Sequence, residues 1–354
     1  MGVLALSTSC SRPPPDLLEV GEGEEKKAPF MKIVIPDDYQ DMVDQLTCYS
    51  LIAKHDVTRY REPARDLDHL VERLRDADVV VAIRERVNFS RALLERLPKL
   101  KLLALVGRNA ATVDFAACTA LGIPVSTGKS NSPDAPAELT MALIVASRRN
   151  VALEAERMRR GDWPCTLSHR LRGSTLGIFG LGAIGRLVAA AGHGLGMKVL
   201  VWGQQGSAER ATAAGYEVAA GKEDLFVRSD VLSLHVRLKA DTRGIVGPAD
   251  LGRMKPTALI VNTARAELIA PGALVAALEA GRPGYAAVDV YEQEPVIGGN
   301  HPLLKMPNAL CVPHLGWAEW DNFELYFGEA FEQIVAFENG TPMRLANPEV
   351  KRRG

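Results

Sequence analysis

The sequence predicts an α/β protein of two doubly wound parallel-sheet domains, the second inserted in the first. Three observations predict it. Short continuous apolar runs, rich in β-branched residues, alternate along the chain with longer amphipathic stretches, the pattern of parallel strands covered on both faces by helices. Near the middle, a glycine-rich turn joins one such run to a helical stretch. Beyond the last strand of the second unit lies a closing amphipathic stretch with room to return to the first. The 354 residues suit two domains at roughly 100–200 residues each.

In chain order, residues 1–30 carry Arg12 followed by three prolines, then GEGEEKK, with little periodicity. They read as a flexible N-terminal extension. No positive charge precedes the short apolar VLALS, so a signal peptide is not expected. KIVIP opens the first domain as a buried strand, and VVVAI (79–83), KLLALV (101–106) and GIPVST (122–127) continue it, with LDHLVERLRDA and SRALLERLP as helices between. PAELTMALIVASRRNVALEAERMRRG reads as one long helix starting at Pro136. Then TLGIFG is a strand, GLGAIG a turn and RLVAAAGHGLG a helix. KVLVWG, VLSLHV, ALIVNT, AAVDVY and ALCVPH are further short strands. FELYFGEAFEQIVAFENG is an amphipathic helix stopping at Gly340. The expected division is 31–130 plus 317–354 for one domain and 131–316 for the other.

Composition excludes several classes. Hydrophobic residues make up 47% and charged ones 24%, which is ordinary globular usage. With 42 basic and 43 acidic residues, no global field would hold nucleic acid or an anionic membrane. No apolar run is long enough to span a bilayer. Cys10, Cys48, Cys118, Cys165 and Cys311 are scattered without metal-ligand spacing. They read as free thiols of a cytoplasmic protein, and no metal site is expected.

Gly180-Leu181-Gly182-Ala183-Ile184-Gly185 fits G-x-G-x-x-G after a strand and before a helix, the context of a Rossmann dinucleotide site. Gly180 permits the tight turn, Gly182 lets the backbone approach a pyrophosphate, and Gly185 allows close helix–strand packing. The amides of Ala183 and Ile184 would face the anion at the positive end of the helix. The next strand ends Trp202-Gly203-Gln204-Gln205, with no carboxylate to grip the ribose and no arginine before Arg210. The cofactor is therefore NAD or NADP, with NAD slightly ahead.

Three polar residues stand at ends of apolar strands in this unit: Arg265 after ALIVNTA, Glu294 beyond AAVDVY, and His314 after ALCVP. Loops after different parallel strands converge on one crevice. An imidazole oriented by a carboxylate moves protons near neutral pH, and a guanidinium binds a carboxylate bidentately. These are the parts needed to reduce a 2-keto acid.

From about Met31 to Pro342 the chain resembles the D-isomer-specific 2-hydroxyacid dehydrogenases, the group of phosphoglycerate, D-lactate and glyoxylate/hydroxypyruvate dehydrogenases. The resemblance rests on PAELTMALIVASRR, LRGSTLGIFGLGAIGR, SDVLSLHV, LGRMKPTALIVNTARAELI, YAAVDVYEQEP and MPNALCVPHLGW in one order. It implies that His314 protonates the keto oxygen, with Glu294 as its partner and Arg265 as holder of the substrate carboxylate. It also implies that Asp289 contacts the nicotinamide carboxamide, that Thr263 and Ala264 border the cofactor, and that the Gly107 region offers amides to the substrate. A homodimer paired through nucleotide domains, and closure of the domains, follow from the same resemblance. The substrate would be glyoxylate, hydroxypyruvate or a somewhat larger keto acid.

Gly203 departs from that pattern by replacing the usual ribose-binding Asp. In Leu105–Ala111 one glycine remains where relatives often have several, although Asn109 tolerates a left-handed turn. Ala266 and Glu267 follow Arg265, and a carboxylate so near could compete with substrate for it. His235 reads as packing beside the cofactor, and Arg237 as added positive charge there. Trp317 and Trp320 read as interface or core packing, or one as a wall of the substrate pocket. The alternative function is a nicotinamide-sensing corepressor-like binding protein on the same fold. Formate chemistry is disfavoured, because relatives with that activity carry Gln where this chain has Glu294.

Overall fold

The computed structural model describes residues 30–108, 111–164, 166–204 and 206–350. Most of the 1–30 extension, with Cys10, therefore lies outside the described residues, as do Asn109 and Cys165. Two parallel sheets organise the chain. The first has β1 (Lys32–Ile35), β2 (Asp56–Arg59), β3 (Val79–Ile83), β4 (Leu102–Val106) and β5 (Val125–Ser126) in the order β2-β1-β3-β4-β5. The second has β6 (Thr175–Phe179), β7 (Lys198–Trp202), β8 (Glu217–Val218), β9 (Val231–Leu234), β10 (Leu259–Asn262), β11 (Tyr285–Val288) and β12 (Ala309–Cys311), ordered β12-β11-β10-β9-β6-β7-β8.

Strand alternation divides each core into two layers. In the first sheet, Ile33, Ile35, Val79, Val81 and Ile83 face one way and pack with Phe323, Phe327 and Phe331 of the last helix, Trp320–Glu338. Val34, Val80, Ala82, Leu103 and Leu105 face the other way, against Leu74, Leu93 and Leu97. Both faces are covered, which is why β3 and β4 are apolar at every position. The last helix thus returns to the first sheet, and burying Phe327 and Phe331 there contributes about 1.5–3 kcal/mol each. The tail stays on that sheet, where Ala346 N–H donates to the Val125 carbonyl at 2.8 Å.

The long middle helix is two. Asp134–Arg148 packs on the second sheet, and Val151–Arg159 follows after Asn150, whose φ is +54°. Asn takes the left-handed conformation more readily than most residues, so one residue breaks a stretch otherwise rich in helix formers. The strands β2 and β8, absent from the sequence reading, are polar edge strands.

Each sheet has a point where strand order reverses. In the second sheet it lies between β6 and β9, and in the first between β1 and β3. Crevices at the carboxyl ends of such pairs are where ligands bind in doubly wound sheets.

Candidate active site

The glycine turn leaves β6 at its switch point. Gly180 has φ +99°, which a side chain would strain, and a Cβ there would come within 3.0 Å of the His235 carbonyl. A Cβ on Gly185 would sit 2.2 Å from the Gly180 carbonyl oxygen. The turn and the helix Ala183–Gly194 can therefore pack closely only with glycine there. Gly182 and Ala183 are exposed, and nothing stands within 4 Å of a Cβ on Gly182. This open, backbone-lined face at a helix N-terminus fits a dinucleotide diphosphate. Thr263 shares a hydrogen bond with Thr140 at 2.7 Å between hydroxyl oxygens, and Ala264 N–H donates to Asn262 Oδ1 at 3.1 Å, fixing the turn after β10.

The ribose edge is closed to a side chain at 203. A Cβ on Gly203 would lie 2.9 Å from Ser207 Oγ and 3.0 Å from Gly180 Cα. Arg210 turns inward and donates to the Leu181 carbonyl at 2.8 Å, bracing the glycine turn. A carboxylate reaches this edge from another loop, where Gln204 Nε2 donates to Asp241 Oδ2 at 3.4 Å. His235 is half-buried beside the cradle, its Nε2 2.9 Å from Ser233 Oγ, and burial pushes its pKa down to about 4. Arg237 is exposed.

The loops after β11 and β12 bring Glu294 and His314 together. Glu294 Oε2 lies 2.5 Å from His314 Nδ1, and its Oε1 accepts the Tyr291 amide at 2.9 Å. Both carboxylate oxygens are thus engaged, and the imidazole is left with Nε2 as its working atom. His314 has φ +51°, a conformation unusual for a non-glycine residue. Asp289, fully buried, holds the loop in it, because its two oxygens accept the amides of Leu315 at 2.6 Å and Gly316 at 2.9 Å. Burial pushes the Asp289 carboxyl up to about 6, although those amides and His314 pull it down. The structure thus gives Asp289 a fastening task that its sequence position did not reveal.

Arg265 follows β10 and reaches across the cleft. Its NH1 donates to the Ala264 carbonyl at 2.6 Å and its NH2 to Glu85 Oε1 at 2.8 Å. The acid on this guanidinium is therefore Glu85 from the first sheet. Glu267, the neighbour expected to compete, faces Arg243 at 3.7 Å instead. Gly107 opens the turn after β4 with φ +87°, and its carbonyl accepts the Gly128 amide at 2.8 Å.

A chamber of about 580 Å³ opens between the two sheets beside His314 and Glu294. Tyr39, Pro63, Val296, Ile297, Leu304 and Trp317 give it a largely apolar wall. Trp317 is both wall and core, stacked on Phe323 with ring centres 4.9 Å apart. Trp320 opens the last helix and is exposed. Sequence reasoning missed Arg84 and Glu85. Their signal was three consecutive charges, Arg84-Glu85-Arg86, directly after the wholly apolar β3.

Residues 141–316 match the model of the D-isomer specific 2-hydroxyacid dehydrogenase, NAD binding domain. The chain is 35% identical over 303 residues to a glyoxylate reductase of Aeropyrum pernix, covering 82% of this chain and 89% of that protein. The chain belongs to the D-isomer specific 2-hydroxyacid dehydrogenases. A glycerate dehydrogenase of Methylorubrum extorquens is 34% identical over 290 residues, 78% of this chain and 88% of that one. The crystal structure of a phosphoglycerate oxidoreductase from Vibrio cholerae superposes with a TM-score of 0.85 at 45% identity, covering 88% of this chain and all of that one. This 2-hydroxyacid dehydrogenase is thus an NAD(P)-dependent oxidoreductase on two parallel-sheet domains, and the sensing-protein alternative is not favoured.

Proposed function

We propose that the enzyme reduces a 2-keto acid with an apolar or aromatic side chain to the D-2-hydroxy acid, with His314 as acid. The observation that carries this reading is the His314–Glu294 pair at 2.5 Å on the wall of the apolar chamber. In the reducing direction His314 gives its Nε2 proton to the keto oxygen, and in the reverse direction it takes that proton back. Glu294 holds the imidazole by Nδ1 and fixes its orientation. Arg265 binds the substrate carboxylate, and amides of the Gly107 turn complete that grip. The nicotinamide cofactor, when bound, supplies or accepts the hydride. Gly180, Gly182, Ala183, Ile184 and Gly185 would hold its diphosphate, with Thr263, Ala264 and Asp289 at its nicotinamide end. Asp241 at the ribose edge disfavours a 2′-phosphate and so favours NAD over NADP.

The chamber is much larger than glyoxylate requires, and its walls suit a hydrocarbon side chain. Residues 31–130 with 317–354 serve as the substrate domain and 131–316 as the nucleotide domain. Trp163, Leu167 and Met158 are exposed on the arm following Asp134–Arg148, and this apolar surface supports a homodimer. The location is taken as cytoplasmic from the scattered thiols. The test follows nicotinamide absorbance with NADH and NADPH against glyoxylate, hydroxypyruvate, pyruvate, phenylpyruvate and 3-phosphohydroxypyruvate. The highest kcat/KM is expected with NADH and phenylpyruvate. A preference for glyoxylate would overturn the assignment of the chamber to a large apolar side chain.

A further inference from the structure

The first sheet has its own switch point between β1 and β3, and Arg84-Glu85-Arg86 leave β3 there. Arg84 has φ +51°, and the turn carries Glu85 toward the second sheet. Glu85 Oε1 accepts from Arg265 NH2 at 2.8 Å across the cleft, and both side chains are largely covered, 18% and 32% exposed. Burial pushes the Glu85 carboxyl up, but Arg84, Arg265 and His314 together hold it below the usual carboxylate range.

Glu85 has a second cation at hand. Arg84 Nε stands 3.6 Å from Glu85 Oε2, and among the described residues that buried nitrogen makes no hydrogen bond. The Arg84 guanidinium lies 5.5 Å from the Trp317 ring centre, and its NH1 comes within 3.3 Å of where a Gly107 Cβ would be. It is thus at the edge of the substrate turn. Arg86 is committed elsewhere, to the Asp37 carbonyl, to Gln40 Oε1 at 3.0 Å and to the Tyr39 ring.

A carboxylate arriving at Arg265 seeks the guanidinium edge on which Glu85 already rests, and two like charges on one fork repel. We propose that Glu85 is a built-in competitor for the Arg265 fork, and that it moves on to Arg84 when the substrate carboxylate arrives. The proposal rests on Arg265 being the carboxylate holder. It makes Glu85 a specificity residue, which releases the cross-cleft contact only to an anion strong enough to displace it.

The experiment uses oxamate, a carboxylate that is not reduced. Its affinity for the full-length enzyme–NADH complex is read from nicotinamide fluorescence. Glu85→Gln is expected to bind oxamate about three- to tenfold more tightly, the scale of a partly exposed ion pair. Arg84→Met is expected to bind it more weakly by a similar factor, because Glu85 loses its second resting place. The double variant should follow Glu85→Gln. NADH affinity, measured alongside, reports that each variant is folded. Equal or weaker oxamate binding by Glu85→Gln overturns the proposal, and Arg84→Met matching the wild type overturns the hand-over. Failure of the wild type to reduce any keto acid would instead sink the functional reading.

Discussion

Replacing Glu294 by Gln isolates what the carboxylate contributes, because the side chain keeps its size. Glu294 accepts two bonds at once, from Tyr291 N–H at 2.9 Å and from His314 Nδ1 at 2.5 Å. A Gln has one carbonyl oxygen, so it can satisfy only one of those donors in the same way. The backbone amide cannot move, so the oxygen stays with Tyr291 and the amide nitrogen faces His314. Two things are then lost: the acceptor that fixes the Nδ1 proton, and the carboxylate charge in that hydrogen bond. A hydrogen bond to a charged group contributes about 1.5–3 kcal/mol, and this pair is only about a fifth exposed. At tenfold per 1.4 kcal/mol, kcat/KM for keto-acid reduction should fall about 10- to 100-fold. The assay is steady-state nicotinamide absorbance at saturating NADH, with NADH affinity measured separately and expected to stay near wild type. Glu294→Gln within twofold of wild type would show that the carboxylate does not support His314 in the reaction.

Other substitutions separate chemistry from binding. His314→Ala should lower turnover about 10²–10⁴-fold while NADH still binds. Gly185→Ala should do the reverse. Its Cβ would meet the Gly180 carbonyl at 2.2 Å, and the resulting overpacking of about 1–3 kcal/mol should weaken NADH binding in titration by about ten- to hundredfold. Asp241→Asn should raise affinity for NADPH about two- to fivefold and leave NADH nearly unchanged, as the KM ratio reports. His235 gives a pH signature. Its folded pKa of about 4 lies below the ordinary 6.5, so between those values the unfolded chain takes up a proton that the folded ring refuses. Stability is therefore full above pH 6.5 and falls by about 1–3 kcal/mol as pH drops to 4. Denaturant titrations of His235→Asn should show a correspondingly flatter loss over that window.

The sequence was legible where one residue type serves one physical need. Continuous apolar runs marked β3 and β4 because both faces are covered, and the glycine spacing marked the cradle because a Cβ at Gly185 cannot fit. It was not legible where polar or single residues decide the outcome. Strands β2 and β8 are polar edges, with DVTR and EV carrying no fully buried residue. The break at Asn150 is one left-handed residue inside a helical pattern. In the site, Arg265, Glu294 and His314 could be named from strand ends and resemblance. The hold of Asp289 on Leu315 and Gly316 joins residues 26 and 27 apart, and the reach of Glu85 to Arg265 spans 180 residues. No local pattern encodes such contacts, since they exist only once two sheets face each other.

At the centre of the proposed reaction, a guanidinium, an imidazole and its carboxylate partner act on a keto acid placed against a bound nicotinamide. The most direct measurement supplies the enzyme with phenylpyruvate and NADH carrying deuterium at both C4 positions, then analyses the product by mass spectrometry and chiral chromatography. The expected product is phenyllactate with one deuterium at C2, all of it the D isomer. Tight NADH binding without transfer of the label, or an L-configured product, would contradict it.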